Sequence, residues 1–533
     1  MDSLSSIINE LIAERKKRGI SQKQLEELSG VKQPIIARME SRATTPNLDT
    51  VTKIADALGL KFNLSSASGK ETAGYKYKRA WYYILEKSIK DNSVTLLLGP
   101  RKCGKTVCLY QLSEHIENSI YYDAKTHTDD ENRAFCESVI KAVIDSASKV
   151  FLIDEVTYLQ YPDLFLSSLG RELTIRESDT RVVISGSQSL ALKAWGMRAF
   201  ASNAKYLYMD FLSYPEWLQY RSEEEISDRT YKEFILGTRE FYREFSDAKA
   251  YIEGCLDETI RSNDRAKDMI YNNDCDGLTA DFLIDIMFAT LVILKDNPKP
   301  ETFVKKNVLF DTLDYAHHKE VARIGKETVI ARIADIAENK YEGLKKLDPY
   351  LFIRGLKFLY NCDLIGVVPI VDSFEKPVPY DIFSYLNEKY GSMVISKAED
   401  RQNLFAEINF YIKYPMFYCE IVKEVLKEEF RELSNVIFGS IVECHIRGLL
   451  GDKGAMEYRN ADYAEIDYVN PSEKIAVEIA TYNKRKKDTH FDRLDDSYNK
   501  IMTSLDKEDT VEGIKRVPYP KMIYELSKTV KNA

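Results

Sequence analysis

The chain has 533 residues, 44% of them hydrophobic and 30% charged, with only 23 glycines and 15 prolines. That is the make-up of ordinary globular protein, long enough for about three or four domains. Its 84 acidic residues outnumber 75 basic ones, and the net charge of −9 excludes a surface coated for nucleic acid, leaving only local basic patches for such contact. Eight scattered cysteines, Cys103, Cys108, Cys362 and Cys444 among them, form no CxxC pair and have no partnering histidine cluster. Reduced thiols are therefore expected, not a disulfide framework or a zinc site. There is no basic-then-apolar leader and no run near the roughly 18 apolar residues of a membrane helix, so the expected location is the cytoplasm.

In chain order, Ile7, Ile8, Leu11 and Ile12 recur at helical spacing, and Gly19 stops the helix after Arg15, Lys16, Lys17 and Arg18. Ser21 is placed to cap a second helix, QKQLEEL, and Gly30 makes a tight corner. VKQPIIARME follows as a third helix with Ile36 and Met39 inward, and Pro34 costs little in its first turn. A turn at Pro46 leads to a fourth amphipathic helix closed by Gly59. Two short helices joined through a glycine turn in a compact helical unit are the layout of a helix-turn-helix. RGISQKQLEELSGVKQPIIARMESRATTPNLDTVTKIADALGL resembles the Cro/phage-repressor, or xenobiotic-response-element (XRE), type of DNA-binding domain. The resemblance implies that Gln22 meets a phosphate of double-stranded DNA and that Lys32, Gln33 and Arg38 face the major groove. Gln and Arg can make bidentate contacts to base edges. One such domain reads half a site, so a homo-oligomer (dimer or higher) or a second DNA-binding element is implied.

SSASGKETAG at 65–74 reads as a linker. Then VTLLL gives a buried strand, and GPRKCGKT satisfies G-x-x-x-x-G-K-[ST] between strand and helix. Gly99, Pro100, Arg101, Lys102, Cys103, Gly104, Lys105, Thr106 and Val107 form the expected ATP cradle, because glycines admit phosphate close to the backbone and the helix N-terminus adds positive potential. Lys105 would reach the β- and γ-phosphates, and the Thr106 hydroxyl would hold Mg²⁺. SKVFLIDEV at 148–156 is an apolar strand ending in Asp154, suited to the Mg²⁺ shell, and Glu155, suited to polarise the attacking water. RVVISGSQS at 181–189 ends in small hydroxyl residues, where Ser187, with Ser185 as neighbour, could sense the γ-phosphate. With MRAFASNAKYLYMDFLSYPEWLQY at 197–220, these parts resemble a family of prokaryotic AAA-type ATPases. In that family a Gly-Ser strand end is followed by an arginine and a Leu-Ser-containing segment ending in Glu, here Gly186-Ser187, Arg198 and Leu212-Ser213-Tyr214-Pro215-Glu216. The resemblance implies that Arg198 supplies charge to the γ-phosphate, in cis or from a neighbour; a plain surface arginine is the alternative.

Residues 221–372 are helical by periodicity, and KKLDPYLFIRGLKFLYNCDLIGVVPIV at 345–371 reads as a helix followed by a short apolar strand. The piece resembles the winged-helix element that follows the ATPase core in that family. This would bring Lys345, Lys346, Arg354 and Lys357 to DNA, the alternative being a helical lid with a charged exposed face. Further on, GSIVECHIRGLL carries Glu443, and the strands YAEIDYV and KIAVEIA carry Glu465, Asp467 and Glu478. Together they resemble the restriction-endonuclease-like, PD-(D/E)XK-like fold appended to such ATPases. The resemblance implies a Mg²⁺-dependent phosphodiester site, which converging carboxylates can support. Its lysine position holds Ala480, so a degenerate fold is the preferred reading, although Lys484 or the NKRKK run at 483–487 could supply the charge from another direction.

The expected architecture is multidomain α/β. An all-α helix-turn-helix domain occupies 1–64 and a linker 65–74. A P-loop α/β core spans 75–220, a helical and winged-helix-like middle 221–372, and a nuclease-like α/β domain 373–533. The expected function is a DNA-binding ATPase that couples Mg-ATP hydrolysis to DNA binding or assembly, with transcriptional regulation as one role open to it. An ATP-gated nuclease effector of a defence system or mobile element, and an ATP-sensing repressor with little turnover, stay open.

Overall fold

Leu25, Val31, Ile36 and Met39 are spaced so that two short helices bury one shared face, and in the structure they do. The structure, a computed structural model, describes residues 8, 11–12, 14–41, 48–58, 77–126, 129–146, 149–175, 179–237, 247–262, 277–293, 349–374, 382–386, 388, 408–426, 435–459, 465–484 and 489–528. The chain divides into two units, Met1–Glu71 and Thr72–Ala533. The expected linker at 65–74, Lys345, Lys346 and residues 485–487 lie outside the described residues.

In the first unit, α1 (Gln22–Ser29) begins with a capping box in which Ser21 and Gln24 satisfy each other's backbone N–H, and Gly30 closes it at φ 70°. Helix α2 (Gln33–Glu40) carries Pro34 in its first turn, and α3 (Leu48–Ala57) adds Val51, Ile54 and Ala55 to the core. Arg15 ties the unit together by a two-pronged bond to Glu40 at 2.6 and 2.8 Å. This is an N-terminal helical helix-turn-helix.

The second unit opens with α4 (Ala80–Asp91) and β1 (Val94–Leu98), followed by α5 (Lys105–His115) and β2 (Ser119–Asp123). Then come α6 (Asp129–Ile144), β3 (Val150–Asp154), α7 (Pro162–Ile175), β4 (Arg181–Ser185), α8 (Ser189–Phe200) and β5 (Ala204–Tyr208). The five strands pair in parallel in the order β2-β3-β4-β1-β5. In β1, Val94, Leu96 and Leu98 face one core with Trp195, and Leu97 faces the other with Trp81 and Leu109. Both faces are covered, so the strand reads as a continuous apolar run. A parallel sheet puts every strand's C-terminal end on one edge, where ligands of open α/β sheets sit. The structure is multidomain α/β with the parallel sheet typical of a P-loop ATPase core.

Helices α9 (Tyr214–Arg221), α10 (Asp228–Gly237), α11 (Ala248–Ser262), α12 (Ala280–Ile293) and α13 (Pro349–Asn361) follow, the last leading into β6 (Ile365–Val371). Arg354 and Lys357 are half-buried on α13. After β7 (Ile408–Ile412), α14 (Pro415–Leu426) and α15 (Asn435–Leu450), the chain forms β8 (Met456–Arg459), β9 (Glu465–Asn470), β10 (Ile475–Glu478), β11 (Asn499–Ser504), β12 (Asp509–Val511), β13 (Ile514–Pro518) and α16 (Tyr519–Ser527). These strands make a mixed sheet in the order β12-β13-β11-β10-β9-β8-β6-β7. The boundary expected at 372/373 needs correction. β6 pairs in parallel with β8 and antiparallel with β7, so that boundary falls inside one sheet. Among the described residues, no helix is long and apolar enough to cross a membrane.

Helix α8 lies close on β1 because Gly196 has no side chain: a Cβ there would meet Leu96 Cδ2 at 2.3 Å. We expect Gly196→Val to lift the helix and cost about 1–3 kcal/mol in urea denaturation of the full chain.

Candidate functional site

The loop after β1 is shaped by backbone that only glycine tolerates well. Gly99 has φ 137°, and a Cβ there would stand 2.0 Å from the Met209 carbonyl oxygen; Gly104 has φ 106°. Met209, just past β5, donates its N–H to the Leu98 carbonyl at 2.8 Å, which fixes this close approach. No side chain caps the N-terminus of α5, so its first-turn N–H groups face the loop. Lys105 is buried, with Nζ donating to the Gly99 and Pro100 carbonyls at 2.8 Å each. Thr106 and Val107 are half-buried in the same turn. Arg101 leans away to give Nη1 to the Gly254 carbonyl on α11 at 2.6 Å, while the Tyr251 hydroxyl donates to the Arg101 carbonyl at 3.1 Å. Lys102 is exposed, with φ 58°.

Asp154 and Glu155 end β3 on the same edge of the sheet. Asp154 is buried and accepts from the Tyr121 hydroxyl at 2.9 Å, from Ser185 Oγ and from the Glu155 N–H at 3.0 Å. Burial, then the Asp154 carboxylate, pushes the Tyr121 phenol well above its ordinary range, so it stays a donor. Glu155 sits in the left-handed region at φ 54°, a conformation that costs about 1–3 kcal/mol and clusters at functional sites. The segment after β4 joins the parts. Ser185 holds Asp154, and Ser189 bonds both backbone groups of Gly99, accepting from its N–H at 2.8 Å and donating to its carbonyl at 3.0 Å. Between them the Ser187 hydroxyl is buried and has no hydrogen-bond partner among the described residues. Ser189 is a site residue that the sequence reading missed, although it belongs to the same run of alternate serines.

A second missed residue is Arg79. Its Nη1 donates to the Cys103 carbonyl inside the loop at 2.6 Å and to the Asp210 carbonyl at 2.9 Å. Nη2 reaches the Phe211 carbonyl at 3.0 Å and Glu216 at 2.8 Å, and Nε reaches Glu216 at 3.1 Å. Glu216 also completes a capping box with Ser213 at the start of α9. Burial opposes its charged form, but the Arg79 guanidinium and the Ser213 groups outweigh that and hold its carboxyl below the usual range.

Arg198 is not brought to this site. It is exposed near the C-terminal end of α8, nine residues from Ser189 and thus about 13 Å along the axis, toward the opposite edge of the sheet. A contribution to the γ-phosphate within one chain is therefore not supported.

In the first unit, the Gln22 side chain donates to Glu40 at 2.8 Å and accepts from Gln33 Nε2 at 3.0 Å. Lys32 is exposed and 3.3 Å from Glu26, and Arg38 is exposed on α2 beside Ile35, an apolar residue left 45% exposed.

At the C-terminal end, the four expected carboxylates do converge. Arg447, fully buried, bonds Glu443 at 3.1 Å and Glu457 at 2.9 Å and lies 3.9 Å from Asp467. Arg459 bridges Glu457 at 2.5 Å and Glu465 at 3.0 Å. Lys484 is bonded to Glu478. Burial first, then neighbouring carboxylates, pushes Asp467 up to about 8; burial pushes Glu478 up to about 7 against the pull of Lys484. Ala480 is buried and bonded through its backbone to Thr503 Oγ1 at 2.6 and 2.8 Å. Among the described residues no three His, Cys, Asp or Glu side chains stand as a metal site, so this donor set does not fit Mg²⁺ as it is arranged.

A family model described as an AAA domain matches residues 91–218, and one described as helix-turn-helix matches 11–64. The two matches put a helix-turn-helix and an AAA domain on one chain. Over 54 residues, 10% of this chain, it is 57% identical to an uncharacterized HTH-type transcriptional regulator of Haemophilus influenzae, and it spans about half (55%) of that relative's length. Among solved structures, a DNA replication initiation factor aligns over 53% of this chain and 93% of its own, at 13% identity and TM-score 0.22. The Aeropyrum pernix ORC1 protein in complex with DNA aligns over 55% and 84%, at the same identity and TM-score.

Because the Glu216 pKa is lowered on folding, its contribution to stability is full above the ordinary carboxylate range and is lost as pH falls through the depressed value. We expect Glu216→Gln to cost about 3 kcal/mol or more near neutrality, because it strips a buried guanidinium of its counter-charge. The penalty should shrink between about pH 5 and pH 3, read by urea midpoints across that range.

Proposed function

We propose that the chain binds and hydrolyses Mg-ATP at the loop 99–107 and uses nucleotide state to change how its helix-turn-helix engages double-stranded DNA, as a homo-oligomer. The observation that carries this reading is the 185–189 segment. It fastens Asp154 at one end and Gly99 at the other, and the buried Ser187 hydroxyl between them has no partner among the described residues. An uncompensated buried hydroxyl costs about 1–3 kcal/mol, which a phosphate oxygen would repay.

Lys105 turns from the Gly99 and Pro100 carbonyls to the β- and γ-phosphates, and the first-turn N–H groups of α5 take phosphate oxygens. The Thr106 hydroxyl and the Asp154 carboxylate are the donors suited to Mg²⁺, which when bound neutralises charge on the β- and γ-oxygens. Glu155, held out of regular strand geometry, polarises the attacking water. Arg198 acts at the γ-phosphate only from a neighbouring copy. In the first unit, Arg38 and the Gln33–Gln22 pair read bases and phosphate, with Lys32 adding charge and Ile35 offering an apolar contact to a thymine methyl.

We expect Glu155→Gln to lower ATP turnover about 10²-fold or more with ATP affinity kept, and Lys105→Ala to lose the affinity itself, by phosphate release and fluorescent-nucleotide titration. Wild-type turnover equal to that of Glu155→Gln would instead make the chain an ATP-sensing repressor.

A second reading, phosphodiester cleavage by the C-terminal cluster, has the bond between Lys484 and Glu478 in its favour. Against it, Arg447 and Arg459 already pair with Glu443 and Glu465 of that set and with Glu457 beside them. Incubation of plasmid with the full chain and Mg²⁺ or Mn²⁺ decides. Cutting lost in both Lys484→Ala and Asp467→Ala supports cleavage, and intact plasmid in the wild type leaves the degenerate fold.

A further inference from the structure

Asp154, the carboxylate that ends β3, is held from both neighbouring strands. Among the described residues, Oδ1 accepts from Ser185 Oγ on β4 and from the Glu155 N–H at 3.0 Å, while Oδ2 accepts from the Tyr121 hydroxyl on β2 at 2.9 Å. A carboxylate offers about four lone-pair sites, two on each oxygen. These donors fill Oδ1 and leave a site on the oxygen that Tyr121 holds. The strand register explains the reach. Tyr121 pairs with Leu152, so Tyr121, Leu152 and Asp154 share one face of the sheet. That face is the one covered by α5, since Leu152 packs in the same core as Leu109. There the Tyr121 ring stacks on Tyr110 of α5, with centroids 4.2 Å apart and planes 24° from parallel. Tyr110 is four residues after Thr106 and so lies on the same face of the helix.

We infer that Tyr121 is a positioning residue for the Mg²⁺ donors: it fixes the rotation of the Asp154 carboxylate and, through Tyr110, the spacing of that carboxylate from the helix turn that carries Thr106. This rests on the functional reading above. The two donors suited to Mg²⁺ come from different elements, and the stacked pair of rings is the packing that lies between those elements on this face. With the phenol in place, the carboxylate is held at both oxygens. Without it, the remaining donors act on Oδ1 alone, and the terminal torsion of an aspartate is soft enough for the group to swing about that point. Groups that orient a metal ligand in this way typically contribute about 10- to 100-fold to metal affinity.

The test uses the full chain, a fluorescent non-hydrolysable ATP analogue and Mn²⁺ as the metal probe. Affinity for the analogue is titrated with Mn²⁺ and again in EDTA, and the ratio of the two is the readout. Tyr121→Phe keeps the ring and its stacking but removes the hydroxyl. It should cut the ratio about tenfold while leaving affinity in EDTA as in the wild type, and it should change the EPR spectrum of Mn²⁺ bound with the analogue. Tyr110→Leu, which keeps an apolar side chain but no ring, should lower the ratio by about 2- to 10-fold. An unchanged ratio in Tyr121→Phe overturns the inference. An equal loss with Mn²⁺ and in EDTA also overturns it, since the hydroxyl would then serve only the fold. An unchanged ratio in Tyr110→Leu overturns the part given to the paired rings. A wild type that binds the analogue equally with Mn²⁺ and in EDTA, or does not bind it, overturns the functional reading instead.

Discussion

A guanidinium carries five N–H donors, and Arg79 directs them at two carboxylate oxygens of Glu216 and the carbonyls of Cys103, Asp210 and Phe211. Three pieces of chain that are far apart in sequence thus meet on one side chain: the start of α4, the phosphate loop and the turn into α9. The pair is largely removed from solvent, so losing either partner leaves an uncompensated buried charge, an effect of about 3–5 kcal/mol. The loop, the turn after β5 and the start of α9 are thereby held to one another through a single side chain.

The two charged centres of the second unit solve opposite problems. At the loop, Lys105 rests on neutral carbonyls and the Ser187 hydroxyl has no partner among the described residues, so neither is matched by an opposite charge. In the C-terminal cluster, Arg447, Arg459 and Lys484 are interleaved with five carboxylates and the capacity is largely spent internally. A surplus of negative charge remains there, and protons relieve it: Asp467 and Glu478 are pushed toward neutrality by burial. One arrangement leaves its cation unmatched by a carboxylate and the other is nearly closed on itself.

The strands and the loop of the candidate site were legible in the sequence, because buried parallel strands are continuous apolar runs and the loop between VTLLL and α5 has a fixed glycine spacing. Asp154, Glu155 and the serines after β4 were readable for the same reason. What could not be read depends on pairings between distant residues. Arg79 and Glu216 are separated by well over a hundred positions, and nothing local marks either as a partner of the loop. Ser189 was passed over because its hydroxyl bonds Gly99, ninety positions earlier, and nothing local in the sequence marks that pairing. Arg198 follows the serines closely in sequence, but a rigid helix carries it to the far side of the sheet. The boundary at 372/373 failed because the periodicity that reveals a strand says nothing about which strand lies beside it.

The placement of β6 bears on how the chain emerges during synthesis. β6 is flanked by β7 on one side and β8 on the other, and Val371 pairs with Tyr458, about ninety residues downstream. At roughly 5–20 residues per second, a ribosome makes β6 several seconds before β8 exists. Until then a strand with apolar flanks presents a bare hydrogen-bonding edge, the situation in which chains recruit one another. A nascent chain halted before β8 would keep that edge open, so the pairing of β6 with β8 closes the sheet only once the chain has passed Tyr458.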